Sequence, residues 1–583
     1  MILRHVTVTA ELLATLTEMV PARITKRLDA APDAAERWTW ATSDAAVEIT
    51  TDGGERVTLT GPRLSDVGHV TCTCLLSPRC FHVLAVVSLL PLVEAAAAAS
   101  AATSVATAGH VATNDAHNSH GEAAPETSTL DPSQRATATR AGDLAAAILT
   151  AGLMGVSTLR RGELLRAVHD ARRHSLPRLE RALLGVLEET RALRERDPDF
   201  SIRRAAESMA ELLSVTRRFS RGEVNADLIG VARQAYRPRS NLLVTGLATE
   251  PISAGGYAGV VSYFTDGASV FSAAEIVPGD DERAPAAIAA QLRFGEVSMT
   301  HREVQASSLR FVSARITGEG RLGAGKEVVA ARSPYAAEIV ERWLDRPLAT
   351  QLDTTFAEAA SGTSASARAL VAVAGSLARP EAPVIVLASG EAIPLMPAID
   401  HPRFAFRENL SRLASVSMAV RLVTHVKVDG ARATFLPIAA FPLPGAPHTL
   451  STAMNLGFDK LRHAEVATRG AEGDGAKPER RGEALALAHA SPGVVAAPLR
   501  ALETRVFRMV LAGARSLPGA AHSQVTSEAR AMRTNLLPTL SAVLEALAPA
   551  AAKDPDVLAE AWLAAHVAMR AAERAFARAS LGA

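Results

Sequence analysis

Apolar residues recur along this chain in two rhythms, and the changes of period divide it. Near the N-terminus Leu12, Leu13, Leu16, Met19, Val20 and Ile24 fall at helical spacing, which predicts one amphipathic helix within residues 1–34. Val47-Glu-Ile49 and Val57-Thr-Leu59 instead alternate apolar and polar around Asp52-Gly53-Gly54, the pattern of a β-hairpin. From Val83 to Leu90 the chain is almost uniformly apolar and is then stopped by Pro91, as in a short buried helix.

Residues 94–140 lose all periodicity and are rich in Ala, Ser, Thr, Gly and Asn, the composition of a disordered linker. His110, His117 and His120 fall there and read as solvated linker residues. From 141 to 236 leucines return at spacings of three and four, as in Leu144, Ile148, Leu149 and Leu153, predicting a helical domain. Between 237 and 470 the texture is β-rich. Leu242 to Val244, Val260 to Phe264, Val384 to Leu387, Val426 to Val428 and Thr434 to Leu436 read as strands, with turns at Asp266-Gly267 and Asp429-Gly430. Helices are expected at Ala336–Leu344 and Ser364–Leu377, and one subdomain as a small barrel. A second polar linker covers 471–483, and 484–583 returns to helical periodicity, with Pro538 in a first turn.

All three cysteines of the chain lie within nine positions, in the run Cys72-Thr-Cys74-Leu-Leu-Ser-Pro-Arg-Cys80-Phe-His82. Three thiolates and one imidazole satisfy a closed tetrahedral zinc site that leaves no position for water. The Cys-x-Cys pair suits a tight knuckle from which Thr73 points away, and the Cys-x-His pair suits the first turn of a helix. Three buried apolar cysteines with a helix-capping histidine are the alternative, but chance does not readily gather every cysteine at a four-ligand spacing, and there is no Cys-x-x-Cys dithiol for redox work. Zinc here contributes folding energy rather than chemistry, and Arg63 and Arg79 are candidates to offset its net negative charge.

The pattern Cys-x-Cys-x(n)-Cys-x-His resembles the SWIM zinc finger family at all four ligand positions, and the strands-then-helix order over about residues 35–95 agrees. The resemblance implies one structural Zn2+ per chain, held by Cys72, Cys74, Cys80 and His82, and a module that binds proteins or DNA. Larger bacterial proteins of this type are often encoded beside MoxR-type AAA+ ATPases and von Willebrand A proteins. The resemblance therefore implies a scaffold or adaptor with such protein partners.

Composition limits the alternatives. The 583 residues carry a net charge of +1, so there is no global attraction to nucleic acid. Only six of the 62 basic residues are lysine; arginine dominance of this kind follows from a GC-rich genome and is not in itself a binding adaptation. Residues 141–240 nevertheless carry an excess of about five positive charges. Arg160, Arg161, Arg172, Arg173, Arg203, Arg204, Arg217, Arg218 and Arg221 read as a solvated helical face, with phosphate tracking on DNA as the alternative. Trp38 and Trp40 read as core of the zinc module rather than as a base-stacking platform. No apolar run is long enough to span a membrane, and Met1 to Val6 lacks a signal-peptide pattern, so a cytoplasmic protein is expected.

Two motifs fail on inspection. Gly320-Arg-Leu-Gly-Ala-Gly325-Lys326-Glu327 nearly matches a phosphate-binding loop, but Glu327 stands where Mg2+ needs a hydroxyl, and Val328 onward reads as a strand. Gly255-Gly256-Tyr-Ala-Gly259 lacks dinucleotide spacing and reads as a turn. His301 and Glu303 have no visible nucleophile beside them, and no catalytic constellation emerges. The expectation is a non-catalytic, multidomain α+β protein. Residues 1–93 form an N-terminal helix and a ββα zinc module, 94–140 a linker, 141–236 a helical domain and 237–470 a mixed α+β centre. Residues 471–483 form a linker and 484–583 a C-terminal helical bundle.

Overall fold

The computed structural model describes residues 6–43, 46–93, 129–198, 200–230, 236–254, 256–279, 282–325, 327–360, 370–461, 466–468, 496–517, 521–550 and 554–581. The architecture is α+β, with a small strand-and-helix region at the N-terminus, a helical region, a β-rich centre and C-terminal helices. Two compact units form: Met1–Ala232 with Ala501–Ala568, and Arg233–Arg500 with Met569–Ala583.

The N-terminal stripe is not one helix but two, α1 (Ala10–Met19) and α2 (Ala22–Ala30). The break is local. Pro21 has no N–H to donate into a continuing helix and pushes Val20 into the extended conformation seen there, φ −87° and ψ 144°. The hairpin forms as expected. Strands β1 (Thr39–Thr42), β2 (Ala46–Thr50), β3 (Arg56–Thr60) and β4 (Val70–Cys72) make an antiparallel sheet in that order. Val47 pairs with Leu59 and Ile49 with Val57, which puts all four side chains on the buried face. Helix α3 (Phe81–Leu89) is apolar almost all round and is buried against this sheet and the N-terminal helices.

Four long helices follow: α4 (Pro132–Ala151), α5 (Thr158–Arg173), α6 (Pro177–Glu195) and α7 (Ile202–Ser220). The linker expected to reach residue 140 ends earlier, because Asp131 caps α4, Gln134 closes a capping box and Pro132 sits at a first-turn position. Residues 94–128, with His110, His117 and His120, lie outside the described residues.

In the centre, β5 (Arg237–Ala254), β6 (Tyr257–Thr265), β7 (Val270–Pro278), β8 (Ser308–Ile316) and β9 (Val329–Ser333) form an antiparallel sheet ordered β9-β8-β5-β6-β7. The stretch that imitates a phosphate loop closes one end of it. Ser272 N–H donates to Gly320 O at 3.0 Å, Leu322 N–H to Ser272 O at 2.8 Å, and Gly323 N–H to Arg315 O at 2.8 Å. These bonds join β7 to the end of β8 and curl the sheet into a ring around Phe264, Phe271, Phe311 and Leu322. Gly320 is required there: its φ is +85°, and a Cβ would stand 2.9 Å from the Val270 carbonyl. A strand follows, not a helix, and Glu327 is ion-paired to Arg315.

Helices α8 (Ala337–Leu344) and α9 (Leu348–Ala360) lead to a second antiparallel sheet. It contains β10 (Leu370–Ala378), β11 (Val384–Val386), β12 (Ala392–Pro394), β13 (Ala419–Asp429), β14 (Arg432–Pro442) and β15 (Met454–Asn455), ordered β12-β11-β10-β13-β14-β15. The helix expected over Ser364–Leu377 is corrected for its described part: Leu370 onward is a strand, held between β11 and β13. Long-range pairing there overrides the helical preference of an alanine-rich segment. Between β12 and β13 lies α10 (Phe406–Ser415). Residues 471–483 lie outside the described residues. The chain ends in α11 (Ala496–Ala512), α12 (Ala521–Thr534), α13 (Pro538–Ala550) and α14 (Pro555–Ala579), with Pro538 opening α13.

Candidate metal centre

Cys72, Cys74, Cys80 and His82 come together, their ligand atoms all within 4.8 Å of one another. Cys72 ends β4, and Cys74 follows on the knuckle. Cys80 is the N-cap of α3, its sulfur accepting the Val83 N–H at 3.4 Å, so His82 lies in the helix's first turn. The distance from Cys72 Sγ to His82 Nδ1 is 3.7 Å. A tetrahedron with metal bonds of about 2.0 and 2.3 Å has an edge of about 3.5 Å between such atoms. The donor set and this spacing suit a four-coordinate ion.

The sequence placed Thr73 away from the ligands, and the structure gives it a task. Its hydroxyl accepts the Arg56 N–H at 2.9 Å while its own N–H donates to Arg56 O at 3.0 Å, which ties the knuckle to β3. Ser77 Oγ accepts the Cys72 N–H at 3.0 Å from the other end of the loop. Trp38 is buried and meets the edges of both Phe81 and His82 at centroid distances of 6.1 and 5.8 Å. It is a wall of the module, as expected, and Trp40 anchors nearby by donating Nε1–H to Ala35 O at 2.8 Å.

Burial sets the protonation of the cluster in the absence of a metal. It pushes the Cys80 thiol up to about 12 and raises Cys72 as well. It also holds His82 below its ordinary value, so the imidazole is neutral. A bound cation reverses this for the thiols and displaces their protons.

Sequence reading missed the surrounding shell. His82 Nε2 faces Glu55 Oε2 at 4.0 Å. The Thr51 hydroxyl donates to the same Glu55 oxygen at 2.6 Å and is the main reason the carboxyl stays below its usual pKa. Arg27 of α2 lies 4.2 Å above the Phe81 ring and acts electrostatically on both His82 and Glu55. The one sequence signal for Glu55 was its place beside the Asp52-Gly53-Gly54 turn. Nothing local pointed to Arg27.

The other candidates fare differently. Each of the nine arginines singled out between 141 and 236 has a carboxylate partner in the same unit: Arg160 with Glu163, Arg161 with Glu18, Arg172 with Asp29 and Glu180, and Arg173 with Glu36. Arg203 pairs with Glu503, Arg204 with Glu189, Arg218 with Glu223, and both Arg217 and Arg221 with Glu560. Arg160, Arg204 and Arg221 keep largely exposed side chains, as on the solvated face expected, while Arg161, Arg172 and Arg203 are mostly covered and tie distant segments together. Glu303 closes a capping box with Thr300, and His301 is fully buried with Nδ1 2.7 Å from Ser262 Oγ. Thr249 continues that chain at 2.8 Å and is itself buried, so the imidazole serves the interior of the sheet.

No protein-family model, no curated protein and no solved structure matches this chain. Among the described residues, no helix is long and apolar enough to cross a membrane.

Proposed function

We propose that this chain is a SWIM-type zinc protein that acts as a non-catalytic scaffold or adaptor, with the zinc module presenting a docking element to a protein partner. The observation that carries this reading is the loop between Cys74 and Cys80. Leu75 is fully exposed at 103% and Leu76 half-exposed at 53%, on a loop whose two ends are metal ligands. Closed coordination by three thiolates and one imidazole suits zinc in a structural role. An ion there fixes the loop, so that its two leucines meet a partner without the entropy of ordering it first. By analogy with the family, a MoxR-type AAA+ ATPase and a von Willebrand A protein are the partners to try first.

DNA binding through the finger and the Arg-rich helices has less support, because each of the arginines it would use is already paired with a carboxylate. Purified chain is expected to hold one zinc, lost in Cys80→Ala/His82→Ala. Loss of the metal should make residues 35–95 sensitive to protease. Leu75→Ser/Leu76→Ser should retain zinc and the fold but lose capture of the ATPase or its von Willebrand A companion. Zinc-free wild-type protein would overturn the metal reading. Salt-sensitive DNA binding that survives Leu75→Ser/Leu76→Ser but not loss of zinc would move the function to nucleic acid.

A further inference from the structure

The central unit contains a cavity of about 510 Å3 at the curled end of its first sheet, a volume in the range of small-molecule sites, about 300–1,000 Å3. Its walls come from the start of β5, the start of β7, the closing segment around Gly320, and helices α8 and α9.

The electrostatics of this wall set it apart. Arg237, Arg239 and Arg346 line it, and among the described residues no Asp or Glu does. The cavity of similar size in the other unit differs: its lining mixes Arg63, Arg140, Arg160 and Arg166 with Glu11, Asp143, Glu163 and Asp170. In a third cavity Arg302 is paired with Asp459, and Arg412 and Lys460 are both paired with Glu408. Here Asp266 pairs with Arg239 from outside the lining at 3.2 Å, its other oxygen held by the N–H groups of Ala268 and Ser269. Arg346 donates only to the Ala268 carbonyl, at 3.2 Å. Among the described residues, neither Arg237 nor Arg346 has a carboxylate partner.

Trp343 lies under the cavity wall, fully buried, and its indole N–H has no hydrogen-bond partner among the described residues. Val270, Phe271, Ile316 and Leu370 add apolar surface to the wall, and Ser269, Thr317, Gln351, Thr354 and Thr355 add uncharged polar groups.

We propose that this cavity binds a small organic anion, its carboxylate or phosphate head held by Arg346 and Arg237 and its apolar body against Phe271. Guanidinium groups suit either head because both offer two coplanar acceptor oxygens. The site is independent of the metal centre and of its proposed partner.

Calorimetric titration of the full chain with phenyl phosphate, benzoate and benzyl alcohol tests the proposal. At least one of the two anions should bind saturably at millimolar concentration or below, more weakly as salt is added, and benzyl alcohol should not. Arg346→Gln should weaken the anion by about tenfold or more. Arg237→Gln, at an exposed strand start, gives the same test without risk to the fold. The stronger of the two anions identifies the head group. Equal binding of all three probes, binding of none, or binding unchanged in both arginine variants would overturn the assignment.

Discussion

His82 turns Nδ1 toward Cys72 Sγ at 3.7 Å and Nε2 toward the Glu55 carboxylate at 4.0 Å. One imidazole thus joins the thiol cluster to an acid on the neighbouring hairpin. At that distance the carboxylate acts on the ring through its charge, which favours positive charge at the imidazole and at a metal bound to it.

Glu55→Gln, which removes this nearby negative charge, should therefore weaken metal binding by about threefold without removing a ligand. Competition with a chromophoric chelator measures this directly. Thr51→Val should have a smaller effect in the same direction, because it releases the carboxylate that Thr51 holds. An unchanged affinity in Glu55→Gln would show that this charge does not act on the site.

Gly152 and Gly513 approach each other closely within one unit, both at positive φ, +74° and +68°. A Cβ on Gly152 would stand 2.4 Å from both Leu511 O and Gly513 N. Gly152→Ala should destabilise that unit by about 2 kcal/mol or more, from unfavourable backbone conformation and overpacking together. Denaturant unfolding followed through Trp562, buried beside this contact's helix α11 with its Nε1–H on Val506 O at 3.0 Å, reports the loss.

Burial alone pushes the pKa of His301 down to about 4. The folded state holds this imidazole neutral, while the unfolded chain takes up a proton below about pH 6.5. Its contribution is complete above that pH and is lost as pH falls toward 4, by roughly 3 kcal/mol. His301→Gln should flatten the stability profile of the central unit across that window. A wild-type profile that is already flat there would contradict the burial.

His425 gives the opposite slope. Burial disfavours its imidazolium, but Glu250, whose carboxylate lies 3.0 Å from Nε2, outweighs this and the pKa is raised. The ion pair stabilises the fold below the unfolded histidine value, about 6.5, and is lost as pH rises through the raised folded value. Tyr263 donates its hydroxyl to the same carboxylate at 2.5 Å and keeps it ordered. Melting temperatures of wild type and Glu250→Gln should differ most near about pH 5.5 and converge near about pH 9.

The sequence alone determined what depends on neighbours along the chain. The Cys-x-Cys knuckle and the Cys-x-His helix start are local geometry, so the four ligands were legible in one line of residues. The hairpin at Asp52-Gly53-Gly54, the turns at Asp266-Gly267 and Asp429-Gly430, and the rejection of Gly320–Glu327 as a phosphate loop were equally local. Only the tertiary structure decided what depends on contacts between distant positions. Arg27 reaches the metal module from α2, Arg203 finds Glu503, and Arg217 and Arg221 find Glu560, separations that no periodicity encodes. Leu370–Ala378 became a strand because β11 and β13 pair with it on both sides, and interstrand hydrogen bonds outweigh a small intrinsic preference for helix. The unmatched arginines beside Trp343 were likewise invisible, since a cavity's charge is set by which side chains the fold leaves without a partner.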